Sequence, residues 1–179
     1  PPGIPVLVDE AYHHYVDDPA YASAIPLVKQ GKPVIVTRTF SKIYGMAGLR
    51  LGYAIARDDL IAKMSSYKIW LNTNVLTVAA ALASLDDQEF VERNRKVNAH
   101  TRKYVEQEVK QMGLATIPSQ ANFLMVDLKR DMSTVGNTLR SRNVYTGRPF
   151  YPLTNHLRVT IGTAVEMKRF VEELRNVLT

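Results

Sequence analysis

Apolar residues fall along this chain in two rhythms. In the first third they come as short unbroken runs. Val6, Leu7 and Val8 close on Asp9 and Glu10, Val34, Ile35 and Val36 follow Pro33, and Gly52, Tyr53, Ala54, Ile55 and Ala56 make a third run. A run without polar alternation predicts a strand buried on both faces, as in the sheets of α/β folds. Asp58 and Asp59 then resemble an N-cap with acid in the first turn, and a helix is predicted over 60–67. A further, largely apolar helix is predicted over 75–85.

The rhythm changes at residue 86. Phe90, Val97, Tyr104, Val105, Val109 and Met112 recur at helical spacing with charges between them. They predict one long amphipathic helix over 86–112, with Gly113 as its C-terminal stop. Beyond it the pattern predicts a strand over 122–128, a helix over 133–142, a strand over 157–161 and a last helix over 164–178. Residues 1–85 thus read as the edge of a parallel sheet, and 86–179 as a smaller α+β unit. There is no internal repeat and no low-complexity segment.

Composition narrows this picture. With 46% apolar residues in 179, a sizeable core is available. The longest apolar stretch, 74–85, is too short to cross a bilayer and carries Thr77 and Ser84. Cysteine is absent, which excludes disulfides, thiolate catalysis and thiolate metal sites. The net charge of +6 comes from lysines and arginines scattered among acids, as in VERNRKVNAHTRKYVEQEVKQ, so a solvated helix face is expected rather than a nucleic-acid surface. His13 and His14 are adjacent and point differently, while His100 falls on a polar helix face and His156 precedes the last strand. Surface or capping roles are expected for all four, and no metal site. Trp70 and Tyr145 are expected to pack. The chain opens PPGIPVLVDEAY, without a start methionine and already close to a strand, and so reads as the middle of a protein. A cytoplasmic location is expected, with any targeting segment lying outside this sequence.

Three stretches carry candidate chemistry. In TRTFSKIYGMAGLRLGY, residues 37–53, Lys42 follows a strand among Thr39 and Ser41, and Arg50 comes eight positions later. A lysine at a strand end faces the crevice where α/β sheets bind ligands. Partial burial and a neighbouring cation would lower its pKa and expose a nucleophilic amine. The hydroxyls and the planar guanidinium can grip a phosphate. This suggests a phosphorylated cofactor held covalently by a lysine, although Lys42 and Arg50 taken alone fit surface cations on a turn. In VDEAYHHY, Asp9 ends a strand and Tyr12 follows it; a protonated ring nitrogen would answer the carboxylate, and an Asp helix cap with a core tyrosine fits as well. In NHLRVTIGT, Arg158 sits within an apolar strand and calls for an anion, either a substrate carboxylate or a protein acid.

Together these stretches resemble the fold-type I, pyridoxal-phosphate-dependent aminotransferases of class I/II. The similarity covers essentially the whole chain and is strongest to the histidinol-phosphate aminotransferase-like branch, in which S-K-x-x-G-x-A-G-L-R-x-G-Y is a specific pattern. The resemblance implies an α/β fold of the PLP-dependent transferase-like kind (fold type I): part of a mainly parallel sheet in a large domain, 1–85, and an α+β small domain, 86–179. It implies pyridoxal 5'-phosphate as cofactor, bound by Lys42 through a Schiff base, with Lys42 later moving protons at the substrate α-carbon. Asp9 would pair with the pyridine nitrogen, Tyr12 with the phenolate oxygen, and Thr39, Ser41 and Arg50 with the phosphate. Arg158 would take the substrate α-carboxylate, and Asn122, in SQANFL, matches an asparagine close to the substrate. Arg148, in VYTGRPFYP, lies near the place of an arginine that contacts the phosphate of histidinol phosphate; its G-R-P-F context departs from the usual motif, and a structural role beside Pro149 is the alternative.

The implied activity is transamination between an amino acid or histidinol phosphate and a 2-oxo acid, in a homodimer. A decarboxylase or lyase on the same fold, or a non-catalytic fragment or dimerisation domain, are the competing readings. Family members also carry a phosphate loop, an aromatic ring-stacker and an N-P-x-x-P-T-G motif that do not occur here. The chain is therefore expected to correspond to the C-terminal half, with one side of its sheet exposed.

Overall fold

The first two apolar runs become neighbouring strands. β1 (Val6–Asp9) pairs in parallel with β2 (Val34–Thr39), so that Asp9 stands beside Thr37. A short helix, α1 (Ile25–Lys29), which carries Pro26 in its first turn, lies between them. β3 (Gly52–Ile55) then pairs antiparallel with β2, giving the order β1-β2-β3. These coordinates are a computed structural model that describes residues 3–69 and 72–178. Trp70 lies outside the described residues.

Two expectations are corrected here. β1 is not buried: Val6 is 58% and Leu7 62% exposed, whereas Val36 in the middle strand is fully covered. An apolar run reports affinity for a covering layer, and among the described residues β1 has a strand on one side only. The reversed direction of β3 was equally invisible, because a run of apolar residues carries no strand direction. Its close approach to β2 depends on Gly52, where a Cβ would stand 2.8 Å from the Arg38 carbonyl oxygen.

α2 (Asp58–Ser65) begins after Arg57, not at an aspartate cap, and Tyr67 lies beyond its end. Asp58 and Asp59 occupy the first turn, where acid favours the helix dipole, and Asp59 accepts two hydrogen bonds from Arg57 at 2.9 and 2.8 Å. α3 (Val75–Asp86) is capped by Asn74, whose side chain accepts the Leu76 N–H at 2.8 Å. α4 (Gln88–Gln111) is the long amphipathic helix, and Gly113 ends it with a φ of +75°.

The chain packs as two compact units, Pro1–Arg95 and Lys96–Thr179, whose division falls inside α4. The cause is packing. Val91 joins the first unit's core of Tyr15, Phe40, Ile43, Tyr44, Met46 and Ala81, and Asn94 donates to the Ile43 carbonyl at 3.2 Å.

The second unit adds β4 (Ala115–Ile117), β5 (Phe123–Asp127), α5 (Met132–Ser141), β6 (His156–Thr160) and α6 (Ala164–Leu178). Its sheet is antiparallel throughout, in the order β4-β5-β6. Leu124, Val126, Leu157 and Val159 point to one face and pack with Val105, Val109, Leu139, Phe170 and Leu174. Each such side chain contributes about 1.5–3 kcal/mol by leaving water. No helix among the described residues is long and apolar enough to cross a membrane.

Candidate functional site

Because β1 and β2 are parallel, their C-terminal ends lie side by side, the usual place for a ligand in such a sheet. Asp9 is exposed there, and its Oδ1 accepts the Ala11 N–H at 3.0 Å and the Thr37 hydroxyl at 3.4 Å. Tyr12 follows on the same turn, half-buried, with the Lys42 Nζ 5.3 Å from its ring centroid. The chain thus brings Asp9, Tyr12 and Lys42 to one end of the sheet.

The loop after β2 is shaped from below. Phe40, Ile43, Tyr44 and Met46 are buried, while Ser41 and Lys42 between them are half-buried, so anchors alternate with chemistry-bearing side chains. The Thr39 hydroxyl accepts the Ser41 N–H at 3.0 Å and donates to the Leu51 carbonyl at 3.3 Å. Arg50 has left-handed backbone angles, φ 57° and ψ 59°. A non-glycine residue in this region is uncommon and strained, and such positions cluster at ligand sites. Its Nη1 donates to the Ala47 carbonyl at 2.8 Å and to the Ser41 hydroxyl at 3.4 Å. Hydroxyl and guanidinium are therefore already adjacent, as an anion clamp requires.

Sequence reasoning missed the cluster on the other side of β1 and β2. Glu10 is 4% exposed and accepts Arg38 Nε at 3.0 Å and Nη2 at 2.7 Å, the Ser23 hydroxyl at 2.8 Å and the Ala24 N–H at 2.7 Å. Burial pushes the Glu10 carboxyl up, but the Ala24 N–H, Arg38 and Ser23 outweigh it and hold it below the usual carboxylate range. A signal was available: Glu10 adjoins Asp9 and Arg38 adjoins Thr39, and strand alternation sends each to the face opposite its neighbour.

His13 and His14 are half-buried rather than on the surface, bonded to Tyr21 (3.2 Å) and to Tyr44 (3.3 Å). Burial, aided by the charges of His13 and Arg38, pushes the His14 imidazole down to about 4. Among the described residues no cluster of His, Asp and Glu could hold a metal ion.

In the second unit, β6 alternates. Leu157 and Val159 enter the core, and Arg158 is half-buried on the opposite face, its guanidinium carbon 4.1 Å from the Phe123 ring centroid and 5.3 Å from that of Phe150. Arg148 is exposed and lies 4.6 Å from the same Phe150 ring, so both arginines meet one aromatic side chain. The Gly147 N–H donates to the Arg158 carbonyl at 2.8 Å, and a Cβ at Gly147 would stand 2.9 Å from the Arg158 Cβ. Only glycine allows this approach, which explains G-R-P-F locally. Asn122 is half-buried, and its carbonyl accepts the Ile161 N–H at 2.8 Å. The preceding carbonyl, of Ala121, is held by Asn98 at 3.3 Å and by the buried Arg102 at 3.1 Å. Tyr145 does not pack in the core: it is 70% exposed and meets Arg140 at 5.4 Å.

A mixed α/β sheet with a lysine loop at its strand ends, followed by an α+β unit, is the fold of the PLP-dependent transferase-like, fold-type I class. Residues 2–174 match the family of class I and II aminotransferases, and the chain belongs to that family. It is 42% identical over 180 residues to a histidinol-phosphate aminotransferase from Symbiobacterium thermophilum, covering 99% of this chain and 49% of that protein. A second such enzyme, from Moorella thermoacetica, is 38% identical over 181 residues, covering 99% of this chain and 47% of that protein. Among solved structures, the histidinol-phosphate aminotransferase from Sinorhizobium meliloti in complex with pyridoxal-5'-phosphate matches with a TM-score of 0.87 at 28% identity, over 97% of this chain and 48% of that one. The chain spans about half the length of the curated relatives it matches.

Proposed function

We propose that this chain is the lysine-bearing part of a pyridoxal-phosphate-dependent transaminase, acting between an amino acid or histidinol phosphate and a 2-oxo acid. The observation that carries the proposal is the placement of Lys42 on the loop after β2, with Asp9 at the matching end of β1 and the Ser41–Arg50 contact beside it. The donor set fits the group: an amine for an aldehyde, a carboxylate for a ring nitrogen, and hydroxyls with a guanidinium for a phosphate.

When bound, the cofactor supplies an electron sink for the substrate α-carbon. Lys42 holds it and then serves as base and acid for the proton at that carbon. Asp9 keeps the ring nitrogen charged, and Tyr12 meets the phenolate oxygen. Thr39, Ser41 and Arg50 hold the phosphate. Arg158 takes the α-carboxylate through its planar fork, with Asn122 and Arg148 at the substrate. Residues up to 85 are assigned to the large, cofactor-binding domain, and residues 86–179 to the small domain. A homodimer and a cytoplasmic location belong to the same proposal and rest on family resemblance.

The test is borohydride reduction in the presence of pyridoxal phosphate, followed by digestion and mass spectrometry. A pyridoxyl tag at Lys42, lost in Lys42→Ala, is the expected result, with pyridoxamine phosphate formed when an amino donor is added before reduction. Tags spread evenly over many lysines, or carbon dioxide released in place of pyridoxamine phosphate, would overturn the proposal.

A further inference from the structure

The buried cluster behind the sheet is held by its own hydrogen bonds and by Ala24, and it adjoins the residues assigned to the cofactor on two strands. Glu10 follows Asp9 directly, and Arg38 precedes Thr39 directly, four residues before Lys42. The Glu10 N–H also donates to the Thr37 carbonyl at 2.9 Å, which extends the β1–β2 ladder by one step. Asp9 and Thr37 meet on one face, at 3.4 Å, and Glu10 and Arg38 meet on the other, at 2.7 Å. One side of this short ladder therefore carries the chemistry, and the other carries a desolvated ion pair.

The pair is tied to a third segment. Ser23 Oγ donates to both Glu10 oxygens, at 2.8 and 3.0 Å, and accepts Arg38 Nη2 at 3.1 Å. The Ala24 N–H, just before α1, adds its bond to Glu10 Oε1 at 2.7 Å. The Glu10 carboxylate thus receives donors from β2 and from the segment before α1. A slip of β1 against β2 by one residue would break all of these bonds at once and leave charge buried without a partner, which is heavily penalised. Apolar packing at Val6 and Leu7 adds little to that constraint, since both are mostly exposed, and only Val8 on β1 is half-buried.

We infer that Glu10, Arg38 and Ser23 are positioning residues. They fix the register and separation of the two strand ends, and so the placement of Asp9 and Tyr12 relative to Lys42, Ser41 and Thr39. The inference rests on the reading of Lys42 and Asp9 as cofactor ligands given above. Its consequence is specific: loosening the cluster shifts the acid away from the lysine without touching either.

The test uses the whole protein that carries this chain, with the double variant Glu10→Leu/Arg38→Met. Replacing both members of a buried ion pair by apolar residues of similar volume is often tolerated by the fold. Amide hydrogen exchange is read first, without cofactor. Segments 9–12 and 39–42 are expected to exchange faster while the second unit is unchanged. Pyridoxal phosphate is then titrated by the absorbance of the bound form, and its affinity is expected to fall roughly tenfold, as for one or two lost buried hydrogen bonds.

A folded double variant with wild-type exchange in both segments overturns the inference. So does faster exchange throughout β1–β3 with cofactor affinity unchanged, because that describes a pair that only stabilises. If the double variant does not fold, Ser23→Ala, which removes the hydroxyl and keeps both charges, carries the same two measurements with a smaller effect in the same direction. Wild-type protein that takes up no cofactor at Lys42 would overturn the reading of the site instead, and the exchange of segments 9–12 and 39–42 would then decide the positioning role alone.

Discussion

At the scale of single residues, the candidate site combines groups that spacing reveals with groups that only contact reveals. Lys42, Ser41 and Arg50 stand out because a cation and hydroxyls directly after an apolar run are unusual. Glu10 and Arg38 do not stand out, because one acid and one base far apart in sequence look like ordinary surface charges until β1 and β2 pair. His14 is a similar case and leads to a pH dependence. Its ordinary value of 6.5 falls to about 4 in the folded chain, chiefly through burial. Between those values the unfolded chain binds a proton that the folded chain does not, so stability is complete above the ordinary value and falls as pH drops through the window. His13 is shifted in the same direction, again chiefly by burial and by Arg38. The urea midpoint is therefore expected to fall between pH 7 and pH 4.5, and His14→Gln, which keeps a hydrogen-bonding group toward Tyr44, is expected to flatten that slope. An equal slope in the variant would place the proton uptake elsewhere.

At the scale of elements, the long helices were read closely. α4 and α6 follow their periodicity to within two residues of the expected ends, and Gly113 stops α4 as glycine in a left-handed turn does. α1 and β4 escaped notice because five and three residues are too few to show a period. The cap of α2 was misplaced because acids suit both the cap and the first turn, and only the backbone angles of Arg57 separate the two. α3 offers a clean test, since Asn74 is its cap and most of its outer face is apolar and exposed. Asn74→Ala is expected to lower stability by about 1 kcal/mol, measured by urea unfolding. A change close to zero would mean that packing rather than capping fixes the start of this helix.

At the scale of the molecule, two separate cores form, and the first unit leaves apolar surface uncovered. Val75, Leu76 and Leu82 on α3 are 77%, 75% and 61% exposed, and Val6 and Leu7 on β1 are in the same state. A group of large apolar side chains left this exposed on one helix marks a place meant to be covered. This chain by itself is accordingly expected to enhance the fluorescence of the dye 8-anilinonaphthalene-1-sulfonate at neutral pH, and the paired change Leu76→Glu/Leu82→Lys is expected to reduce the signal without altering the far-UV circular dichroism. A chain that gives no enhancement would show that these side chains are shielded.

The sequence by itself determined the α/β class, the place of the long helices and the change of pattern near residue 86, and it singled out the lysine, acid and arginines as candidates, because these depend on local periodicity and on short motifs. Tertiary structure alone decided the rest. It set the antiparallel direction of β3, the exposure of β1, the division of the two packed units inside α4 and the joining of Glu10, Arg38 and Ser23, as well as the approach of Gly147 to Arg158. Each of these depends on which segments far apart in the chain become neighbours, and pairing over that distance is settled by competition for burial and for hydrogen-bond partners, which a local pattern does not record.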